Sequence, residues 1–218
     1  MLIAKNISKN YNTLNVLNDI SFEISENEII SIVGASGAGK STLLQILGTL
    51  DHPSSGTILI DHTDPFQLSK NKLAKFRNSS IGFIFQFHQL LPEFTALENA
   101  ILPSLIRGDS KEKATLKARE LFDFLNLRDR DHHKPNALSG GEQQRVAVAR
   151  ALINDPKIVF ADEPSGNLDS KNAEELHQLF VDLRNNYGQT FVIVTHNEKL
   201  AQISDRRMMI SDGKISFN

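Results

Sequence analysis

Opposite charges almost cancel along these 218 residues, 24 Lys and Arg against 26 Asp and Glu for a net −2, which excludes bulk electrostatic attraction to nucleic acid. Cysteine is absent, which excludes a disulfide framework and a thiolate metal site. No apolar run approaches the roughly 20 residues of a membrane span, and Met1-Leu2-Ile3-Ala4-Lys5-Asn6 has no signal-peptide core, so the expectation is one large α/β domain in the cytosol, its membrane role left to a partner chain.

Leu2-Ile3-Ala4 and residues 16–24 read as strands on either side of a polar segment, residues 8–15. Tyr11 lies in that segment. It is either a flat ring for stacking on a base or a half-exposed loop tyrosine. Glu28-Ile29-Ile30-Ser31-Ile32-Val33 is a β-branched run with the pattern of a buried strand.

Directly after it comes Gly34-Ala35-Ser36-Gly37-Ala38-Gly39-Lys40-Ser41-Thr42, which fits the phosphate-loop pattern G-x-x-x-x-G-K-[ST]. The glycines let the backbone turn so that successive N–H groups point at one anion. Lys40 brings positive charge to the β- and γ-phosphates, and the Ser41 hydroxyl can ligate Mg2+. Residues 42–47 continue as a helix closed by Gly48, whose positive end faces the phosphates.

Asp51-His52-Pro53-Ser54-Ser55-Gly56 reads as a turn and Thr57-Ile58-Leu59-Ile60 as a strand. Residues 69–77 form a short basic helix with a solvated face. Ile81-Gly82-Phe83-Ile84-Phe85 is a strand ending at Gln86. The next residues, 87–94, are too apolar for an ordinary loop and are either subdomain core or an exposed patch for a partner. Helices are expected at 111–127 and 143–153, with His132 and His133 as solvated loop residues between them.

Lys157-Ile158-Val159-Phe160-Ala161 is a strand that ends in Asp162-Glu163, a carboxylate pair at the edge where parallel sheets bind ligands. Asp162 can hold Mg2+ through water, and Glu163 can orient or deprotonate a water. Ser165-Gly166-Asn167-Leu168-Asp169 is a polar loop before a helix, and N-capping alone would explain Asp169. Thr190-Phe191-Val192-Ile193-Val194 is a further buried strand that delivers Thr195-His196 to the same edge, and residues 207–217 form a terminal hairpin. Alternating strands and helices imply a mainly parallel sheet, with a mostly helical insertion at about 87–155.

Together these pieces resemble the ATP-binding cassette (ABC) ATPase family over essentially the whole chain. The specific match is Leu138-Ser139-Gly140-Gly141-Glu142, which is similar to the family's signature sequence. The resemblance implies one ABC ATP-binding domain over residues 1–218, a P-loop NTPase with an N-terminal antiparallel β subdomain and a helical signature subdomain. It makes Gln86 the glutamine that contacts the metal, Asp162 a metal ligand with Ser41, Glu163 the catalytic base and His196 the switch histidine. Tyr11 becomes the adenine-stacking aromatic, and Ser139, Gly140, Gly141, Glu142 and Asp169 join the nucleotide contacts. Ala35 and Ala38 depart from the usual Pro and Ser, but neither replaces a ligand.

The segment Glu163-Pro164-Ser165-Gly166-Asn167-Leu168-Asp169 resembles the branch holding the lipoprotein-releasing, macrolide-export and cell-division ATPases, and residues 86–99 look most like the lipoprotein-releasing members. What this implies is an ATPase working with Mg2+ as a head-to-tail homodimer. It would sit on integral membrane permease subunits at the cytoplasmic face of the inner membrane and drive lipoprotein release to a periplasmic carrier. Macrolide or peptide export and regulation of a cell-division partner are the alternatives.

Overall fold

The computed structural model describes residues 1–217. It begins with a long hairpin, β1 (Leu2–Tyr11) against β2 (Leu14–Ile24). Leu2, Ala4 and Ile7 of β1 and Leu17, Ile20, Phe22 and Ile24 of β2 are buried, while the residues between them are mostly exposed. A ribbon with one wet face needs apolar groups only on the other. That is why the polar residues 8–15, expected between two short strands, mostly lie within them. Tyr11 is accordingly the last residue of a strand, not a loop residue.

The all-buried strand β3 (Ile29–Val33) leads through residues 34–39 into α1 (Lys40–Leu47), whose Leu43, Leu44, Ile46 and Leu47 pack inward. Strand β4 (Ser55–Ile60) then returns to pair with β1, giving the antiparallel order β2-β1-β4.

The rest builds a six-stranded sheet. After α2 (Lys70–Ser80), which has no buried residue, come β5 (Ile81–Phe85), α3 (Ala96–Arg107), α4 (Lys111–Phe124), α5 (Gly140–Leu152) and β6 (Ile158–Asp162). Then follow α6 (Ser170–Tyr187), β7 (Thr190–Val194), α7 (Glu198–Gln202), β8 (Arg206–Ser211) and β9 (Lys214–Phe217). The order is β5-β6-β7-β3-β8-β9, parallel except for the terminal hairpin β8–β9. Phe160 and Val192 face a core shared with α1 and the antiparallel sheet, whereas Val159, Ala161 and Ile193 face the core of α3–α6. The period of two in a strand makes this division.

The register decides where chemistry can occur. Phe85 pairs with Asp162, Asp162 with Val194, and Val194 with Ile32. The residues leaving these strand ends therefore gather at one edge.

Sequence periodicity leaves α3 undistinguished within the helical insertion. It opens with a capping box in which the Thr95 hydroxyl accepts from Glu98 N–H and the Glu98 carboxylate accepts from Thr95 N–H. The buried Asn99 carboxamide ties it to the loop before it, accepting from Leu91 N–H and donating to the Leu91 and Phe94 carbonyls. That loop answers both alternatives posed for residues 87–94. Leu90 packs against the helical core, while Phe87, Leu91 and Phe94 are exposed, Phe87 to 73%. Among the described residues no helix is long and apolar enough to cross a membrane.

Candidate nucleotide site

The loop between β3 and α1 is folded around backbone that only glycine tolerates at its ends. Gly34 has φ +152°, and a Cβ there would stand 2.2 Å from the Ile210 carbonyl oxygen. Gly39, in the left-handed region at φ +100°, is the N-cap of α1 and offers its first amides no side-chain acceptor. These amides and the helix dipole are thus left for an anion. Lys40 closes the loop on itself, its Nζ donating to the Gly34 and Ala35 carbonyls at 2.9 Å each.

Beside the loop, the Ser41 hydroxyl donates to Asp162 Oδ1 at 3.3 Å. Burial pushes the Asp162 carboxyl above its ordinary range. Ser41, Asp162 and the side-chain amide of Gln86, which directly follows β5, offer hard oxygen donors of the kind Mg2+ takes. Among the described residues no group of three His, Cys, Asp or Glu could hold a metal by itself.

Glu163 turns at φ +47° and donates its N–H to the Val194 carbonyl at 2.9 Å. This aims its carboxylate at His196, with Oε1 2.8 Å from Nδ1 and Oε2 accepting from the His196 N–H at 3.3 Å. His196 remains 74% exposed on its side chain. The edge therefore unites the phosphate loop, the carboxylate pair, Gln86 and His196.

Tyr11 is fixed by a cluster that the spacing of residues did not reveal. Its hydroxyl donates to Asp51 Oδ2 at 2.7 Å, Lys9 Nζ lies 2.8 Å from the same carboxylate oxygen, and that ammonium stands 4.7 Å from the centre of the Tyr11 ring. The hydrogen bond to Asp51 raises the Tyr11 phenol above its ordinary value.

The signature residues 138–142 open α5 beside the start of α6, where a Cβ on Gly140 would meet Leu168 at 3.7 Å and one on Gly141 would meet Asn172. Ser139 is the N-cap of α5, its hydroxyl accepting from Glu142 N–H, while the Glu142 carboxylate accepts from Ser139 N–H at 2.7 Å and pairs with Arg130 at 2.6 Å. Burial pushes the Glu142 carboxyl up, but the Arg130 and Ser139 hydrogen bonds overcome it and bring it to about 2. That carboxylate is thus engaged in building the helix start. Asp169 similarly caps α6, accepting from Asn172 N–H at 2.8 Å. Among the described residues no hydrogen bond joins residues 139–142 to the phosphate loop.

A family model described as "ABC transporter" matches residues 17–166. The chain is 59% identical over 99% of its length, and 100% of the relative's, to the "Lipoprotein-releasing system ATP-binding protein LolD" of Bacteroides fragilis. It is 60% identical to the protein of that name from Cytophaga hutchinsonii, covering 99% and 98% of the two chains. Among solved structures it is similar to the dimeric ATP-binding cassette MJ0796 in a post-hydrolysis state bound to ADP and Pi, with a TM-score of 0.90, 41% identity and coverage of 99% and 97%. The cbiO1 subunit from Clostridium perfringens, 27% identical over 99% and 86% of the two chains, follows with a TM-score of 0.89. A family match over most of the chain, joined to cassettes of the same fold along nearly its whole length, makes this protein a member of the ABC transporter family and one of its ATP-hydrolysing subunits.

Proposed function

We propose that the chain is the ATPase of a complex that releases lipoproteins from the inner membrane to a periplasmic carrier. It works as a pair of copies on permease subunits of the LolC and LolE kind, held at the cytoplasmic face of the membrane through them. The observation that carries this reading is the full-length identity of about 60% to lipoprotein-releasing ATPases. The exposed Phe87, Leu91 and Phe94, next to Gln86, offer the permease an apolar contact beside the nucleotide.

The residues divide the work. The loop amides and Lys40 take the phosphates, with Lys40 exchanging its two loop carbonyls for phosphate oxygens. Ser41, Asp162 and Gln86 would hold Mg2+, which supplies positive charge against the phosphate oxygens. Tyr11, tethered by Asp51, presents its ring to adenine. His196 trades its bond to Glu163 for the γ-phosphate, which leaves the Glu163 carboxylate to take a proton from the attacking water. Residues 139–141 of a second copy close over the γ-phosphate with the Ser139 hydroxyl and the N-terminal end of α5. Asp169 shapes this interface as the cap of α6.

Reconstitution with the co-purified membrane partner in lipid vesicles tests the reading. ATP-dependent transfer of a triacylated lipoprotein to a soluble carrier is the expected result. Turnover stimulated by a macrolide or a peptide and indifferent to lipoprotein, or a partner without transport activity, would overturn it.

A further inference from the structure

Gln86 and Asn167 lie 81 residues apart in sequence, yet their side chains meet. Gln86 Nε2 donates to Asn167 Oδ1 at 3.0 Å, and Asn167 Nδ2 donates to the Gln86 backbone carbonyl at 3.1 Å. The second bond dictates the direction of the first. A backbone carbonyl only accepts, so Asn167 must place its nitrogen there. Its oxygen then faces Gln86 and can only accept, so Gln86 must turn its nitrogen toward Asn167 and its oxygen away. Among the described residues Gln86 Oε1 has no hydrogen-bond donor. The oxygen is the end of an amide that a hard cation binds, whereas the nitrogen carries no available lone pair.

The two residues before Asn167 fit the same purpose. A Cβ on Gly166 would stand 3.0 Å from Gln86 Nε2 and 3.2 Å from Gln86 Cδ, so the missing side chain gives Gln86 its room. Ser165 is buried and anchored from α6, its hydroxyl 3.1 Å from Nε2 of the buried His177. Burial pushes that imidazole below its ordinary value, which favours a neutral ring.

We infer that Asn167 is a positioning residue for the nucleotide's divalent cation: it selects the end of the Gln86 amide that faces the metal, on a strut that Ser165 and His177 fasten to α6. The inference rests on Gln86 being a metal ligand. It assigns Asn167 a chemical task beyond its place in a polar loop, of the kind that outer groups perform for metal ligands generally.

The experiment uses the full chain and the non-hydrolysable ATP analogue AMP-PNP. Its affinity is measured with Mn2+ and with EDTA, and the ratio of the two dissociation constants reads the contribution of the metal. Asn167→Ala should reduce this ratio about 10-fold while leaving the affinity in EDTA unchanged. Gly166→Ala, which crowds Gln86, should reduce it likewise. Asn167 is exposed, so unchanged thermal unfolding of its variant serves as the folding control. The deciding background is Gln86→Glu, whose carboxylate presents an oxygen in either orientation. There Asn167→Ala should cost nothing. An unchanged ratio in Asn167→Ala, or a loss that persists in the Gln86→Glu background, would overturn the positioning role. An unchanged ratio in Gln86→Ala would overturn the ligand reading and this inference with it.

Discussion

Replacing Glu163 by Gln separates chemistry from architecture at one position. The native carboxylate makes two contacts with His196, to Nδ1 at 2.8 Å and to the backbone N–H at 3.3 Å. An amide has one acceptor oxygen, so it keeps both contacts only where its nitrogen donates to an unprotonated Nδ1, and otherwise loses one. Losing one such hydrogen bond costs about 1 kcal/mol, which for a domain of this size lowers Tm by about 2–4 °C. The backbone strain at φ +47° is the same for either residue and does not enter. The loss in chemistry is far larger. An amide takes no proton from water, and removal of a general base costs about 10²–10⁴-fold in rate, or about 2.7–5.4 kcal/mol in the barrier. The expected variant folds, binds ATP through an intact loop and accumulates as an ATP-bound dimer. Phosphate release by the complex with its membrane partner, measured beside a thermal melt and sedimentation with ATP, checks all three. Turnover within about 3-fold of the unaltered complex would remove Glu163 from the role of base, because the smallest general-base loss is about 100-fold. A drop in Tm beyond about 10 °C would show the residue to be structural instead.

Ser139→Arg should still bind nucleotide, whereas Lys40→Ala should not; a mixed dimer carrying one change on each copy should retain one unaltered site by nucleotide titration, and two equally damaged sites would exclude a head-to-tail pair. Phe94→Asp should leave the melting temperature of the isolated chain nearly unchanged and weaken permease pull-down, whereas Leu90→Asp, which inserts a charge against the helical core, should cost about 2–3 kcal/mol. A large destabilisation by Phe94→Asp would contradict the docking role. For Glu142 the folded carboxyl lies at about 2, below its ordinary 4.5. Its stabilisation is therefore present above about pH 4.5 and fades as pH falls toward 2. Glu142→Gln should accordingly flatten the acid limb of stability over that window, and an unchanged slope in acid-unfolding titrations would refute the assigned environment.

The phosphate loop was legible because its neighbours speak the same language: a strand of β-branched residues, glycines where the backbone must turn, and a helical run. The buried β5, β6 and β7 were readable for a similar reason, since strands covered on both faces become continuous apolar runs. The hairpin was harder, because half of its residues face water and carry polar groups that imitate a loop. This hid the position of Tyr11 at the end of β1. Helix α3 announces its start through Thr95 and Glu98 and its end through Gly108 at φ +104°, a signal that periodicity alone overlooks. Lys9 and Asp51 had no sequence signature, and Asn167, although it lies in the segment that marks the branch, carried no sign of its bond to Gln86. Each acts through a contact across distant chain segments, 40 residues from Tyr11 to Asp51 and 81 from Gln86 to Asn167, and only the folded sheet brings such partners together.

Strand β5 is the margin of the six-stranded sheet and pairs with β6 alone. The chain leaves the sheet after Phe85 and re-enters it at Ile158 in the adjacent strand. Everything in between is an arm joined to the frame by two neighbouring strands at one side. Such an arm can tilt without opening the ladders between β6, β7, β3 and β8. The apolar surface beneath it resists separation more than sliding, because hydrophobic contact has no preferred direction. Gln86 stands at one of the two crossings. Gln86 bonds Asn167, while Leu168 and Asn172 stand against Gly140 and Gly141, so this crossing and the start of α5 share the loop that leads into α6.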